Sequence, residues 1–83
     1  MRFSIISEIP GRTRLQLAGP VPESDLDALL KLGGDIDGVH KVRVYGRIGQ
    51  MALEYDESRR DAVLAAVGAL DAQAIADAKT GYV

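Results

Sequence analysis

The sequence predicts one α+β domain in which a four-stranded antiparallel sheet carries two helices on one face. Three observations predict it. Several segments alternate apolar and polar residues with the period of a strand. Two segments between them repeat apolar residues at helical spacing. Glycines, prolines and acidic caps separate these segments at short intervals. A chain of 83 residues with 47% hydrophobic content holds a single core, so we expect one domain spanning residues 1–83.

The N-terminal part predicts one long strand with a bend. Residues 2–9 (RFSIISEI) are rich in β-branched side chains, and clean alternation resumes over residues 12–17 (RTRLQL). Pro10 and Gly11 lie between the two segments. Proline cannot donate to a ladder and glycine tolerates a bulge, so we interpret this pair as a kink in a continuous strand.

The first helix is predicted to begin after Ser24, a good N-cap with Asp27 three positions on. It ends at the glycine pair at positions 33 and 34, because glycine commonly stops a helix at its C-terminal end. Its apolar stripe follows the spacing i, i+3, i+4, i+7 and consists of Leu26, Leu29, Leu30 and Gly33.

The second half predicts a hairpin, a helix and a last strand. Residues 41–45 and 51–55 alternate as strands on either side of a turn with glycine at both ends. Asp56 is placed to cap the second helix. The apolar face of this helix consists of Val63, Leu64, Val67 and Leu70. Residues 73–78 (QAIADA) are a weaker strand candidate, and the last five residues are expected to fray. The resulting order is that of a ferredoxin-like βαββαβ sandwich.

Composition excludes several classes of function. The formal charge of −2 removes whole-molecule attraction to nucleic acid. The absence of cysteine excludes disulfides, thiolate metal sites and cysteine nucleophiles. No apolar run approaches the roughly 20 residues of a membrane span, and an acidic residue arrives too early for a signal peptide. We therefore expect a cytoplasmic chain without membrane insertion.

Two motifs resemble heavy-metal-associated domains. Residues 38–44 (GVHKVRV), followed after the hairpin by residues 53–56 (LEYD), are similar to the second and third strands of that family. Residues 9–15 (IPGRTRL) are similar to the start of a divergent branch that is found at the cytoplasmic N-terminus of heavy-metal-transporting P-type ATPases. The resemblance covers roughly residues 5–76.

The resemblance does not extend to metal binding. Metal-carrying members have a Met-x-Cys-x-x-Cys motif between the first strand and the first helix, where this sequence has residues 19–24 (GPVPES). Two thiolates at a helix N-terminus suit Cu(I) or Zn(II), and this loop contains no cysteine to provide them. The resemblance therefore implies a non-catalytic regulatory or docking domain of a metal-transporting ATPase, with no cofactor. Because residues 81–83 end the chain without a convincing cap, one interpretation is a terminal domain of a longer transporter chain.

The outward positions of the predicted sheet collect positive charge. The candidate docking residues are Arg12, Arg14, Lys41, Arg43 and Tyr45. One interpretation is a docking surface for an acidic protein or for another domain of the same transporter. Single-stranded nucleic acid ranks below it, because only Tyr45 offers an aromatic platform. The simplest interpretation, which comes before both of these, is that the charges only solvate an open sheet face, since such a face must be polar.

Other sites are weaker. His40 with Asp37 and Asp35 offers metal ligands in one turn, but a real site needs three or four converging groups, and a polar turn explains them better. The acidic pairs at positions 35/37 and 56/57 lie at predicted turns or caps, so no catalytic residue is predicted. Two alternatives stay open. One is a free-standing interaction module of the same fold. The other is a small-molecule sensor similar to the amino-acid-binding ACT domains, because residues 8–15 resemble the Pro-Gly loop of that family.

Overall fold

The computed structural model describes residues 1–80 as an α+β domain with one four-stranded antiparallel sheet. The strand order is β1-β2-β4-β3, and short 3₁₀ turns precede β4 and α2. In chain order the elements are β1 Phe3–Ile9, β2 Arg12–Leu17, α1 Glu23–Gly34, β3 Val39–Tyr45, β4 Gln50–Tyr55, α2 Arg60–Ala69 and α3 Ala72–Thr80.

The first two strands form a hairpin, so the prediction of one bent strand is wrong. Ile9 pairs with Arg12, and Pro10 and Gly11 are the two residues of the turn. Gly11 has φ +79°, which matches the third position of a type II turn. Proline at the second position and glycine at the third favour this turn, and the alternation on both sides lets the two segments pair.

The second difference is at the C-terminus. Residues 73–78, the weaker strand candidate, lie within the helix α3. Alanine-rich sequence favours a helix, and the Asp71 carboxylate accepts a hydrogen bond from the backbone N–H of Ala74 at 2.8 Å. β1 occupies the sheet edge expected for the last strand, so the described order is ββαββαα with three helices. The expected frayed end falls partly outside the described residues, and Lys79 and Thr80 continue α3.

The core lies between the sheet and the helices. Its fully buried large side chains come from β2, β4, α1 and α2: Leu15, Leu29, Met51, Leu53, Val63 and Val67. The α2 prediction is confirmed, since Val63 and Val67 are buried and Leu64 and Leu70 pack beside them.

The predicted stripe of α1 is wrong at one position and its cap at another. Ala28 and Leu29 are buried, whereas Leu30 is 38% exposed. The buried side of the helix is therefore turned away from Leu30 and toward Ala28. The helix begins at Glu23 with Pro22 at its N-cap position, two residues earlier than the predicted Ser24 cap. Proline at this position brings no side-chain cap. Asp56 caps the short 3₁₀ turn Glu57–Arg59, which leads into α2.

A buried hydrogen bond joins the two central strands, and it gives the first testable prediction. The hydroxyl oxygens of Thr13 and Tyr55 are 2.6 Å apart, and both residues are buried. Tyr55→Phe should lower the free energy of unfolding by about 0.5–1.5 kcal/mol, because it removes this hydrogen bond from the core. Urea denaturation of the single variants Tyr55→Phe and Thr13→Val and of the double variant measures the coupling. If the stability losses of the two single variants add fully in the double variant, the two hydroxyls are not coupled and the prediction is wrong.

An ion pair fastens β1 to α2 and predicts an acid-sensitive contribution to stability. The Arg60 guanidinium donates to the Glu8 carboxylate through two nitrogens, and this hydrogen bonding lowers the pKa of Glu8 below its ordinary 4.5. A lowered pKa adds stability above pH 4.5 that is lost as the pH falls through the folded-state value. The stability difference between the natural protein and Glu8→Gln should therefore shrink on acidification.

The check is the urea midpoint measured between neutral pH and pH 3 for both proteins. Asp27→Asn, which removes an exposed carboxylate of α1, serves as the control. A difference for Glu8→Gln that stays constant across this range would show that the Glu8–Arg60 pair does not contribute through the charge of Glu8.

Candidate functional site

The sheet has one covered face and one open face. Inward positions of β2 and β4, such as Leu15 and Leu53, are buried beneath the helices, and strand alternation turns the intervening positions outward. We call this second surface the outer face. From β2, β4 and β3 it contains Arg12, Arg14, Gln16, Gln50, Ala52, Glu54, Lys41, Arg43 and Tyr45. All five candidate docking residues lie on it.

The cross-strand register arranges the charges in rows. Glu54 of β4 lies between Arg12 on one side and Lys41 on the other. The Arg12 guanidinium is 3.2 Å from the Glu54 carboxylate. Both side chains are well exposed, so this pair contributes little to stability. Its effect is to compensate one cation of the outer face.

In the next row, Ala52 lies between Arg14 and Arg43. The Arg14 guanidinium carbon is 5.2 Å from the centroid of the Tyr45 ring, a cation–π contact that crosses β4. The methyl side chain of Ala52 leaves room for that crossing. Arg14 is held in place by this contact and keeps its charge available, because an aromatic ring does not neutralise a guanidinium.

Lys41 and Arg43 have no ion-pair partner among residues 1–80, and both are exposed. The outer face therefore carries four cations and one carboxylate, a net of three positive charges on a chain whose formal charge is −2. Unpaired cations on one face create a positive local potential that attracts anions.

The rest of the molecule has the opposite character. Four of the cations outside the outer face are in ion pairs with carboxylates. These pairs are Lys31–Asp35, Arg59–Asp37, Arg60–Glu8 and Lys79–Asp25. Further carboxylates on α1 and α2, such as Asp27, are exposed. The molecule is thus electrically two-sided, with a basic open sheet and an acidic helical layer.

β1 adds apolar side chains to the outer face. Ile6 and Ile9 line the same depression, of about 650 Å³, as Arg14, Lys41 and Arg43. They are 47% and 57% exposed. The sequence did not predict their place on the outer face, because residues 2–9 were expected to continue into β2 as one strand. In the structure these residues form a separate strand at the edge of the sheet. The signal was present in the isoleucines of residues 2–9.

The candidate metal ligands are not brought together. The Asp37 carboxylate is 2.5 Å from the Arg59 guanidinium, and Asp35 pairs with Lys31. Hydrogen bonds from Ser58 lower the pKa of Asp56, with a smaller contribution from the charge of His40. Within residues 1–80, no three His, Cys, Asp or Glu side chains are grouped so that they could hold a metal ion.

A second depression lies on the side of the molecule away from the outer face. It is a cleft of about 480 Å³ between the β2–α1 loop and α3, lined mainly by apolar side chains such as Leu17, Val21 and Ile75. Asp25 and Lys79 also line it and form an ion pair at 2.8 Å.

No helix in the described part of the chain is long and apolar enough to span a bilayer. Comparisons with protein-family models, curated proteins and solved structures gave no match. The resemblance to heavy-metal-associated domains therefore depends on the motifs quoted above alone.

Proposed function

We propose that this chain is a non-catalytic docking domain whose outer face binds an acidic surface of a partner protein. One observation carries the proposal: Lys41 and Arg43 are exposed without ion-pair partners in residues 1–80, whereas the helical layer pairs most of its cations. An open face that only needed to be solvated would be served equally well by mixed charges. The concentration of one sign favours a partner of the other sign.

An acidic protein fits the outer face better than a nucleic acid does. Single-stranded nucleic acid on an open sheet needs aromatic platforms on the central strands. The central strands β2 and β4 present no aromatic side chain outward, and Tyr55 is buried. Tyr45 lies on the edge strand β3 and is already covered on one side by Arg14.

The resemblance supports a setting for this docking. We place the domain in a metal-transporting P-type ATPase, as a regulatory domain on the cytoplasmic side that binds another domain of the transporter without carrying metal. This part of the proposal has its own check. An ATPase encoded in the same reading frame or beside it supports the setting, and its absence from both places argues for a free-standing interaction module.

Charge reversal tests the docking itself. The double variant Arg14→Glu/Arg43→Glu should weaken binding of a 20-residue polyglutamate peptide at least tenfold, measured by fluorescence anisotropy at about 0.1 M salt. The matched control is Arg2→Glu/Arg47→Glu, which changes the net charge equally with residues outside the depression of the outer face. If both double variants weaken peptide binding equally, the effect depends on net charge alone, and the proposal is overturned. Tighter binding of oligothymidylate than of the peptide would favour nucleic acid.

The cleft supports a second candidate function, a small-molecule sensor. Its size is that of a ligand site, and its apolar lining beside Asp25 and Lys79 suits an apolar amino acid, whose ammonium and carboxylate would meet those two charges. Free leucine at a hundredfold excess over its dissociation constant should then stabilise the fold by about 2.7 kcal/mol. An unchanged melting temperature at millimolar leucine would remove this candidate.

A further inference from the structure

We infer that the outer face accepts an acidic amphipathic helix lying along the strands, with its apolar stripe on Ile6 and Ile9 and its carboxylates against Lys41 and Arg43. This inference rests on the proposed docking function and specifies the partner's chemistry. It follows from the lateral distribution of side chains across the depression, which net charge alone does not describe.

The two sides of the depression differ in chemistry. Its β1 side presents Ile6 and Ile9, each about half exposed, beside Glu8, whose carboxylate is neutralised by Arg60. Its β3 side presents Lys41 and Arg43, and β3 lies at the opposite edge of the sheet from β1. A partner that is only acidic would leave the isoleucines in water, and one that is only apolar would bury unpaired cations at a cost. A partner with both characters side by side satisfies both edges.

The dimensions of the sheet fit one helix. β1 and β3 are separated by three interstrand spacings, roughly 14 Å, and an α-helix with its side chains is about 10–12 Å wide. Ala52 lies between these edges on β4 and keeps the floor low. A single helix along the strand direction can therefore contact both sides at once.

The spacing along the strands also fits. The pairing register of β1 shifts between Ile5 and Ser7, and this bulge lets Ile6 share a face with Ile9. The two are up to about 10 Å apart along the strand, a distance that helical residues i and i+7, about 10.5 Å apart, can span. Lys41 and Arg43 are two residues apart, about 6.6 Å, close to the 6 Å between i and i+4. An apolar i, i+7 pair beside an acidic i, i+4 pair describes one face of an amphipathic helix.

Backbone hydrogen bonding favours a helix over an extended partner. The backbone groups of the central strands are used within the sheet, where β2 pairs with both β1 and β4. A segment lying on the outer face must therefore satisfy its own backbone, which a helix does and an isolated strand does not.

The test uses a 15-residue peptide with leucines on one helical stripe, glutamates on the adjacent stripe and alanine elsewhere. The control peptide has the same composition with the leucines scattered around the helix. We expect the first peptide to bind about tenfold more tightly by fluorescence anisotropy and to become helical by circular dichroism when bound. Equal affinities would overturn the inference.

Variants of β1 separate this inference from the docking function. Ile6→Thr/Ile9→Thr keeps β-branched side chains, so the strand is preserved, and it should weaken the amphipathic peptide about tenfold. Ile48→Thr is the matched control, because Ile48 is also 57% exposed and lies outside the depression. Full binding by Ile6→Thr/Ile9→Thr, together with loss of binding by Arg14→Glu/Arg43→Glu, would overturn the amphipathic helix and leave acidic docking intact.

Full binding of the peptide by both the isoleucine and the arginine variants would overturn both proposals. Light scattering examines the remaining occupant, a second copy of this chain. A mass of two chains that falls to one in Ile6→Thr/Ile9→Thr would assign the isoleucines to self-association and overturn the inference. A single-chain mass in the natural protein, together with the peptide results above, supports it.

Discussion

Leu29→Ala should lower the free energy of unfolding by roughly 3–4 kcal/mol, a large share of the stability of a domain of this size. Leu29 is fully buried on α1, in the cluster that also contains Met51 and Val63. Removing its three terminal carbons loses their transfer free energy and leaves a cavity between α1 and the sheet. Urea denaturation followed by circular dichroism measures the change.

Its neighbour provides a matched control. Leu30 is 38% exposed, so Leu30→Ala removes the same atoms from a site that is already partly in water. We expect a loss below about 1 kcal/mol. Similar losses of stability at both positions would contradict the described packing of α1. They would indicate that Leu29 and Leu30 both face the core, as the stripe predicted from the sequence requires.

Much of the fold could be predicted because alternation is a strong local signal. β2, β3 and β4 cover the predicted segments 12–17, 41–45 and 51–55. In each strand one face is more buried than the other, so a period of two is visible in the sequence. The second helix was predicted for the same reason, because its apolar stripe faces a single core.

The errors occurred where local sequence is compatible with two structures. Pro10-Gly11 suits both a kink and a two-residue turn, and the choice depends on whether residues 2–9 find a partner strand. Residues 73–78 carry both alanine and isoleucine, and with the sheet edge beside β2 occupied by β1, no strand partner remains there. Both outcomes follow from one competition for a single edge, which is a tertiary property.

The candidate site divides in the same way. Strand parity alone placed Arg14 and Arg43 on one face, because alternate residues of a strand point to opposite sides. Which cations are neutralised could not be predicted. Arg59 finds Asp37 across 22 positions of sequence, whereas Arg43 finds no ion partner in residues 1–80. The contribution of Ile6 and Ile9 likewise depends on the hairpin that the sequence analysis missed.

Gly49 is the position where the backbone least tolerates a side chain. It ends the 3₁₀ turn Gly46–Ile48 with φ +64°, and a Cβ added there would lie 2.5 Å from the carbonyl oxygen of Gly19. That oxygen belongs to the backbone, so no change of rotamer relieves the contact. The carbonyl of Gly49 also accepts the backbone N–H of Leu17 at 2.7 Å, which ties the end of β2 to this turn.

Gly49→Ala should therefore lower the free energy of unfolding by roughly 3 kcal/mol or more, since left-handed strain and a backbone clash act together. Gly34→Ala is the control, because a Cβ at this helical position meets nothing within 4 Å. We expect it to be neutral or to add up to about 1 kcal/mol, since alanine favours a helix over glycine. Urea midpoints of the two variants decide the matter. A Gly49→Ala protein as stable as Gly34→Ala would mean that the β3–β4 turn does not pack against the β2–α1 loop.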